Sequence, residues 1–275
     1  MTQPTEPLES AISATSTPAA AALTAPTKPL YHDDAYLSTF EAKIVAMDGQ
    51  AVALDQTAFY PGGGGQMADR GMLLHSGRRL PLAGLRKDGE VIWHQLAPDS
   101  DSGDPVDLAA LGLAVGGGVQ GELDWPFRYH MMRTHTALHL LCGLIFRNYG
   151  AQVTGGQMYP DRARMDFAME AFTSALIGDI ERCVNEAVQE DHPIKVYRLP
   201  RAEAMEIPDL IRTKINLLPP NISEIRIVEI TGVDLQADGG THVRSTREVG
   251  GVKVIKTENK GKQNKRMEIA LVDDE

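Results

Sequence analysis

The sequence predicts an α+β fold, with a small N-terminal β-barrel followed by a domain of helices packed on an antiparallel sheet. Three observations carry that expectation. Between residues 36 and 123 short apolar runs are cut by turn residues with no helical period, which suits a small barrel. Two later stretches, 124–149 and 173–190, repeat apolar residues at helical spacing. Around them, segments at 153–158, 162–167, 194–199, 224–230, 252–256 and 267–271 read as strands.

Residues 1–30 hold Pro4, Pro7, Pro18, Pro26 and Pro29 among Ala, Ser and Thr, with little apolar bulk. Such a stretch cannot bury enough surface to offset its ordering entropy, so a disordered tail is expected there. It has no basic start and no apolar run of signal-peptide length, and no later run approaches the ~20 residues of a membrane helix. Two cysteines, Cys142 and Cys183, both fall inside helical patterns and read as reduced thiols suited to a cytoplasmic protein.

In the barrel region, 31–123, the apolar runs 42–47 and 51–54 flank Asp48-Gly49 and predict a hairpin with a type I′ turn. Further strands are expected at 71–74, 80–85 and 91–96, with Asp88-Gly89 as a second hairpin turn. The unusual stretch is Phe59-Tyr-Pro-Gly62-Gly63-Gly64-Gly65-Gln66, followed by Asp69-Arg-Gly71. Four glycines allow the backbone to approach another surface closely. The run lacks the Lys-Ser/Thr ending of a phosphate-binding P-loop, which argues against a nucleotide cofactor.

The second region, 124–275, opens with Asp124-Trp-Pro126, a good helix start because Asp caps and Pro fits the first turn. On this helix His135, Leu138, His139 and Cys142 share one face. Two histidines on an apolar stripe would each need a buried partner, and one metal ion satisfies both. A second piece, Asp238-Gly-Gly-Thr-His242, follows the strand at 224–230 and offers a carboxylate and a third imidazole. His135, His139, Asp238 and His242 form a ligand set for one Zn²⁺ per chain. Zincin protease chemistry is disfavoured, since Thr136 stands where that motif needs Glu.

The net charge of −10 argues mildly against nucleic acid as a partner, but the positive charge is not evenly spread. Arg244, Arg247, Lys253, Lys256, Lys260, Lys262, Lys265 and Arg266 are interrupted by only Glu248 and Glu258. Directly after the ligand candidates, such a run suits a phosphate backbone held near an active site.

His135-Thr-Ala-Leu-His139-Leu-Leu, Arg164-Met-Asp-Phe167 and Asp234-Leu-Gln-Ala-Asp238-Gly-Gly-Thr-His242-Val together resemble the editing domain of alanyl-tRNA synthetase and its free-standing AlaX relatives. The Phe59-Tyr-Pro, Gly-Gly-Gln66 and Asp69-Arg-Gly71 stretch resembles the β-barrel preceding that domain, and the likeness spans about 36–272. The resemblance implies an ATP-independent deacylase. Its substrate would be mischarged alanine tRNA, with serine as the wrong amino acid and glycine as a second candidate. The related domain of threonyl-tRNA synthetase carries Pro where this chain has Thr241, which favours alanine tRNA. The family motif also makes Thr154 and Gln157 candidates to sense the serine hydroxyl or orient the ester. The Gly62, Gly63, Gly64 and Gly65 loop would border the acceptor end, and Arg244, Arg247, Lys253, Lys256 and Lys262 are the expected backbone contacts.

One departure stands out. The family pattern has Cys where this chain has Asp238. A carboxylate ligates Zn²⁺ at nearly the distance of an imidazole nitrogen, so ligation is the expectation, with Mn²⁺ or Fe²⁺ less excluded than at a thiolate site. The alternatives are that Asp238 binds through a water or serves as general base on that water. The competing function is a tRNA-binding module whose metal-dependent activity was lost with the thiolate.

Overall fold

The computed structural model describes residues 24–99, 102–215, 218 and 222–273. The first part of the expected tail, 1–23, lies outside the described residues. Its last part does not behave as a tail. The two-residue strand β1 (Lys28–Pro29) pairs in parallel with β4 (Gln56–Thr57). Thr27 is buried, its hydroxyl donating to Leu54 O at 2.8 Å and accepting from Ile92 N–H at 3.0 Å. Residues 24–30 therefore correct the expected boundary. Proline content signalled poor core-forming ability, but a Thr-Lys-Pro segment can still satisfy an exposed strand edge through its backbone.

The barrel is present and closed. Its strands are β2 (Thr39–Asp48), β3 (Ala51–Leu54), β5 (Gly71–His75), β6 (Arg78–Asp88), β7 (Val91–Leu96) and β8 (Gly118–Leu123). They run in the order β2-β3-β7-β6-β5-β8, every neighbouring pair antiparallel. The alternation in β2 puts Phe40, Ala42 and Ile44 inward, where they meet Leu54, Phe59, Leu73 and Leu96 in one apolar core. The turn chemistry differs from expectation. At 49–50 and 89–90 only Gly49 and Gly89 have positive φ, so neither turn is type I′, which needs it at both central residues. That geometry falls at Ser76-Gly77, with φ of +49° and +77°, where Ser rather than Asn or Asp occupies the left-handed first position.

His94 on β7 is fully buried in this barrel, its Nε2 2.9 Å from Thr57 Oγ1. Burial pushes its imidazole down to about 4, against the pull of the Val52 and Ile92 carbonyls. The folded value lies below the unfolded one, so the stability it brings is complete above pH 6.5 and is lost as the pH falls toward 4. The loss over that window is about 3 kcal/mol. In urea titrations between pH 7 and 4, His94→Leu should show a correspondingly flatter stability profile than the wild type. Parallel profiles would contradict the assignment.

The helix α1 (Trp125–Tyr149) follows the barrel as expected: Asp124 caps Phe127 N–H, Pro126 lies in the first turn and Gly150 closes it in the left-handed conformation. Its buried face packs on α2 (Ser174–Gln189), which Thr173 caps. Beside them lies a sheet ordered β14-β15-β10-β9, made of β9 (Val153–Met158), β10 (Ala163–Phe167), β14 (Gly251–Asn259) and β15 (Lys265–Val272). The strands β11 (Ile194–Pro200), β12 (Glu224–Ile230) and β13 (Asp234–Ala237) form a separate sheet, with α3 (Arg201–Met205) against it. The α+β class holds, but with two antiparallel sheets in this part of the chain, because alternation reveals strands and not their partners. Cys142 and Cys183 are both free thiols.

Candidate metal centre

His135 and His139 project from one face of α1 one turn apart, with ring centroids separated by 5.0 Å. After β13 the chain turns through Asp238-Gly-Gly and brings His242 to within 4.3 Å of the His135 ring and 4.6 Å of the His139 ring, centroid to centroid. Gly240 permits this approach: a Cβ there would stand 2.3 Å from His135 Cε1. One donor atom from each of His135, His139, Asp238 and His242 lies within 4.8 Å of the others. From Asp238 Oδ1 it is 3.6 Å to His135 Nε2 and 4.0 Å to His139 Nε2, and Oδ2 is 3.1 Å from His242 Nε2. Ligands held tetrahedrally about 2.1 Å from an ion stand about 3.4 Å apart, so the donor set fits a metal.

The other side of each imidazole is held. His135 Nδ1 donates to Gln66 Oε1 at 3.0 Å, and Thr241 N–H fixes that amide's orientation by donating to the same oxygen at 3.1 Å. His139 Nδ1 donates to the buried Asp234 carboxylate at 3.0 Å. His242 Nδ1 lies 3.2 Å from Thr136 Oγ1. All three Nδ1 atoms are engaged, which turns all three Nε2 atoms toward Asp238. A hydrogen-bonded second nitrogen is what fixes tautomer and ring orientation in metal-bound histidines.

Electrostatics agrees with that arrangement. Burial holds His135 well below its ordinary value and His242 down at about 4, leaving neutral imidazoles with free lone pairs. For His139 burial also opposes protonation, but the hydrogen bond and charge of Asp234, with Asp238, outweigh it and shift the ring up. Burial would raise the Asp238 carboxyl, yet the surrounding imidazoles, His135 foremost, keep it well below the usual range. Arg226, itself buried, donates from Nη1 to Asp238 O at 2.9 Å and stands 3.9 Å from Oδ2.

The glycine run joins the barrel to this centre. Gly65 O accepts from Met158 N–H at 2.8 Å, and a Cβ at Gly65 would lie 2.8 Å from Gly156 O, so only glycine lets the loop press on β9. The next residue, Gln66, is the one that grips His135. Sequence reading singled out the glycines and missed Gln66, Thr136 and Asp234; the signals were a Gln closing the glycine run and an Asp opening the Asp234–Asp238 segment. Gln66→Ala should raise the dissociation constant for Zn²⁺ by about 10- to 100-fold while the barrel stays folded, measured by chelator competition. An unchanged constant would mean that His135 needs no such anchor.

The remaining candidates are placed less tightly. Gln157 Nε2 donates to Gly65 O at 3.2 Å, one residue from Gln66. Thr154 is exposed and its hydroxyl donates to Asn264 Oδ1 at 2.8 Å rather than to any member of the cluster. Much of the basic run is matched by acids from elsewhere in the fold. Lys253 pairs with Glu181 at 2.8 Å, Arg266 with Asp166 at 2.7 Å, and Arg247 with Asp191 at 3.3 Å. Glu258 lies between Lys256 and Lys260, whose hydrogen bonds hold it down at about 2. Arg244 packs over the Tyr36 ring at 4.1 Å with Asp34 at 3.5 Å, its head largely exposed, and Lys262 is exposed on the β14–β15 turn.

Residues 225–268, which carry Asp238 and His242, match the family model described as the second additional domain of threonyl and alanyl tRNA synthetases. Residues 19–109 match that of class II (A) tRNA synthetases. Two parts of the chain are thus similar to domains of tRNA synthetases. Alanyl-tRNA editing protein AlaX-M of Methanosarcina mazei is 39% identical over 250 residues, covering 90% of this chain and 97% of its own. The AlaX-M protein of Methanosarcina acetivorans is 40% identical over 250 residues, covering 90% and 100%. Alanine--tRNA ligase of Pyrococcus abyssi is 36% identical over 235 residues, covering 84% of this chain but 24% of the ligase. The chain belongs to the AlaX-M family of alanyl-tRNA editing proteins.

Proposed function

We propose that this protein hydrolyses, in trans, the ester joining serine to the alanine tRNA, with glycine as a second substrate and Ala-tRNA spared. The observation that carries the proposal is the centre itself: three imidazoles with Nδ1 anchored and Nε2 turned toward one carboxylate. Such an arrangement suits a metal ligand shell. His135, His139, His242 and Asp238 would hold one Zn²⁺, the carboxylate leaving Mn²⁺ or Fe²⁺ less excluded than a thiolate would. When bound, such an ion supplies positive charge that polarises an ester carbonyl and lowers the pKa of water toward ~7.

The protein's own groups supply positioning and selection. Gln157, hydrogen-bonded to Gly65 O, and Thr154 on the same strand are the candidates to sense the serine hydroxyl or orient the ester. A group that hydrogen-bonds that hydroxyl is left unpaired when alanine binds, which disfavours the correct product. The loop at Gly62–Gly65 borders the acceptor end. Arg244, Arg247, Lys253 and Lys256, exchanging their surface acids for phosphates, and the exposed Lys262 would contact the phosphate backbone. The work would take place in the cytoplasm, where charged tRNA is used.

Salt dependence tests this directly. Neutralising about five phosphates lowers affinity by roughly two to three decades between 50 and 200 mM salt. Deacylation of Ser-tRNA measured as kcat/KM should fall accordingly, whereas hydrolysis of a serine ester lacking tRNA should not. A flat salt profile with tRNA would point to a small-ester hydrolase.

A further inference from the structure

Asp234, which fixes His139, is fully buried and only half satisfied. Its Oδ2 accepts from His139 Nδ1 at 3.0 Å and from Gln236 Nε2 at 2.6 Å, while Oδ1 has no hydrogen-bond partner among the described residues. Arg212 Nε is likewise buried without a hydrogen-bond partner, and these two orphan atoms stand 3.7 Å apart. Buried polar atoms are rarely left unpaired, and a donor and an acceptor orphaned side by side complement each other in charge.

Arg212 is held where it is by three independent contacts. Its guanidinium lies 4.0 Å over the Phe146 ring, on the face of α1 that also carries His139 seven residues earlier. Its backbone carbonyl accepts from Val153 N–H at 3.0 Å, and Lys214 N–H donates to Val153 O at 2.9 Å, so the segment runs beside the start of β9. Its Nη1 is 3.9 Å from Asp209. A planar cation stacked on an aromatic ring and seated beside a carboxylate restricts where that carboxylate can point.

We propose that Arg212 is a positioning residue for the metal centre: it fixes the Asp234 carboxylate, which in turn fixes His139 with Nε2 facing Asp238. This rests on the metal-binding reading above. The chain of contacts runs from the 206–215 segment through Asp234 to a ligand, so β9, which bears Thr154 and Gln157, and the ligand shell share one anchor. Arg212→Lys keeps the charge and loses the stacked plane; Arg212→Met loses the charge as well.

The test uses the full chain, with Zn²⁺ affinity read by competition with a chromophoric chelator and the His139 Nδ1–H proton observed by NMR in the Zn²⁺-loaded protein. Arg212→Met is expected to weaken Zn²⁺ binding about tenfold or more and to broaden or remove that proton signal, with Arg212→Lys recovering most of the affinity. A folded Arg212→Met protein with unchanged or tighter Zn²⁺ binding and an intact signal would overturn the proposal. If Arg212→Met does not fold, Phe146→Leu, which removes the ring beneath the guanidinium, must weaken Zn²⁺ binding in the same sense, and unchanged binding would again overturn it. Failure of the functional reading looks different. Wild-type protein would then bind Zn²⁺, respond to these substitutions and leave Ser-tRNA intact. Wild-type protein that binds no Zn²⁺ would overturn both.

Discussion

His139→Ala should abolish tight metal binding and lower deacylation of Ser-tRNA by more than about a hundredfold, since losing a ligand exceeds the 10–100-fold effect of losing its hydrogen-bond partner. The substitution removes the only imidazole of the three that sits between two carboxylates, Asp234 and Asp238. It also strands Asp234, whose Oδ2 would keep only the Gln236 amide. Metal content by elemental analysis and single-turnover hydrolysis on the same preparation check the result. Because Asp234 shifts His139 up, protons compete with a metal for its ring, and metal affinity should fall as the pH drops through its titration. A His139→Ala protein that keeps both metal and activity would remove this residue from the centre.

Arg128→Met should destabilise the protein by about 3–5 kcal/mol, the effect of leaving a buried charge without its partner. Arg128 on α1 and Asp69 from the barrel region are both buried, with Nε 2.9 Å from Oδ1. Nη1 donates to Ala35 O at 2.9 Å, and Tyr60 N–H donates to the same carboxylate at 2.6 Å. The pair therefore joins the barrel to the helix that carries His135 and His139, three residues beyond Gln66. Urea midpoints for Arg128→Met, Asp69→Leu and the double variant measure the coupling. The double variant should regain part of the loss, because it no longer buries a lone charge. Additive losses would mean that the two side chains do not act as a unit.

What could be read from the sequence follows from how local each signal is. The histidine pair, the Asp124 cap and the strand–Asp-Gly-Gly-Thr-His unit are written within a few residues, and they sit as expected. The partners that orient the imidazoles are not local: Gln66, Asp234 and Thr136 lie 69, 95 and 106 residues from the histidines they hold. No periodicity links such positions. The charge run shows the same limit. Its lysines and arginines are plain in the sequence, but Glu181, Asp191 and Asp166, which answer three of them, come from other elements. The strand β13 was missed because four residues, Asp-Leu-Gln-Ala, carry too little alternation to declare a strand, and with it went the second sheet.

The most direct measurement is hydrolysis of Ser-, Gly- and Ala-charged alanine tRNA by wild-type protein, with metal content determined on the same sample. Rapid loss of serine, little loss of alanine and about one bound metal per chain are the expected results. A folded, metal-free protein that binds tRNA and hydrolyses none of the three would contradict the deacylase and leave a binding module in its place.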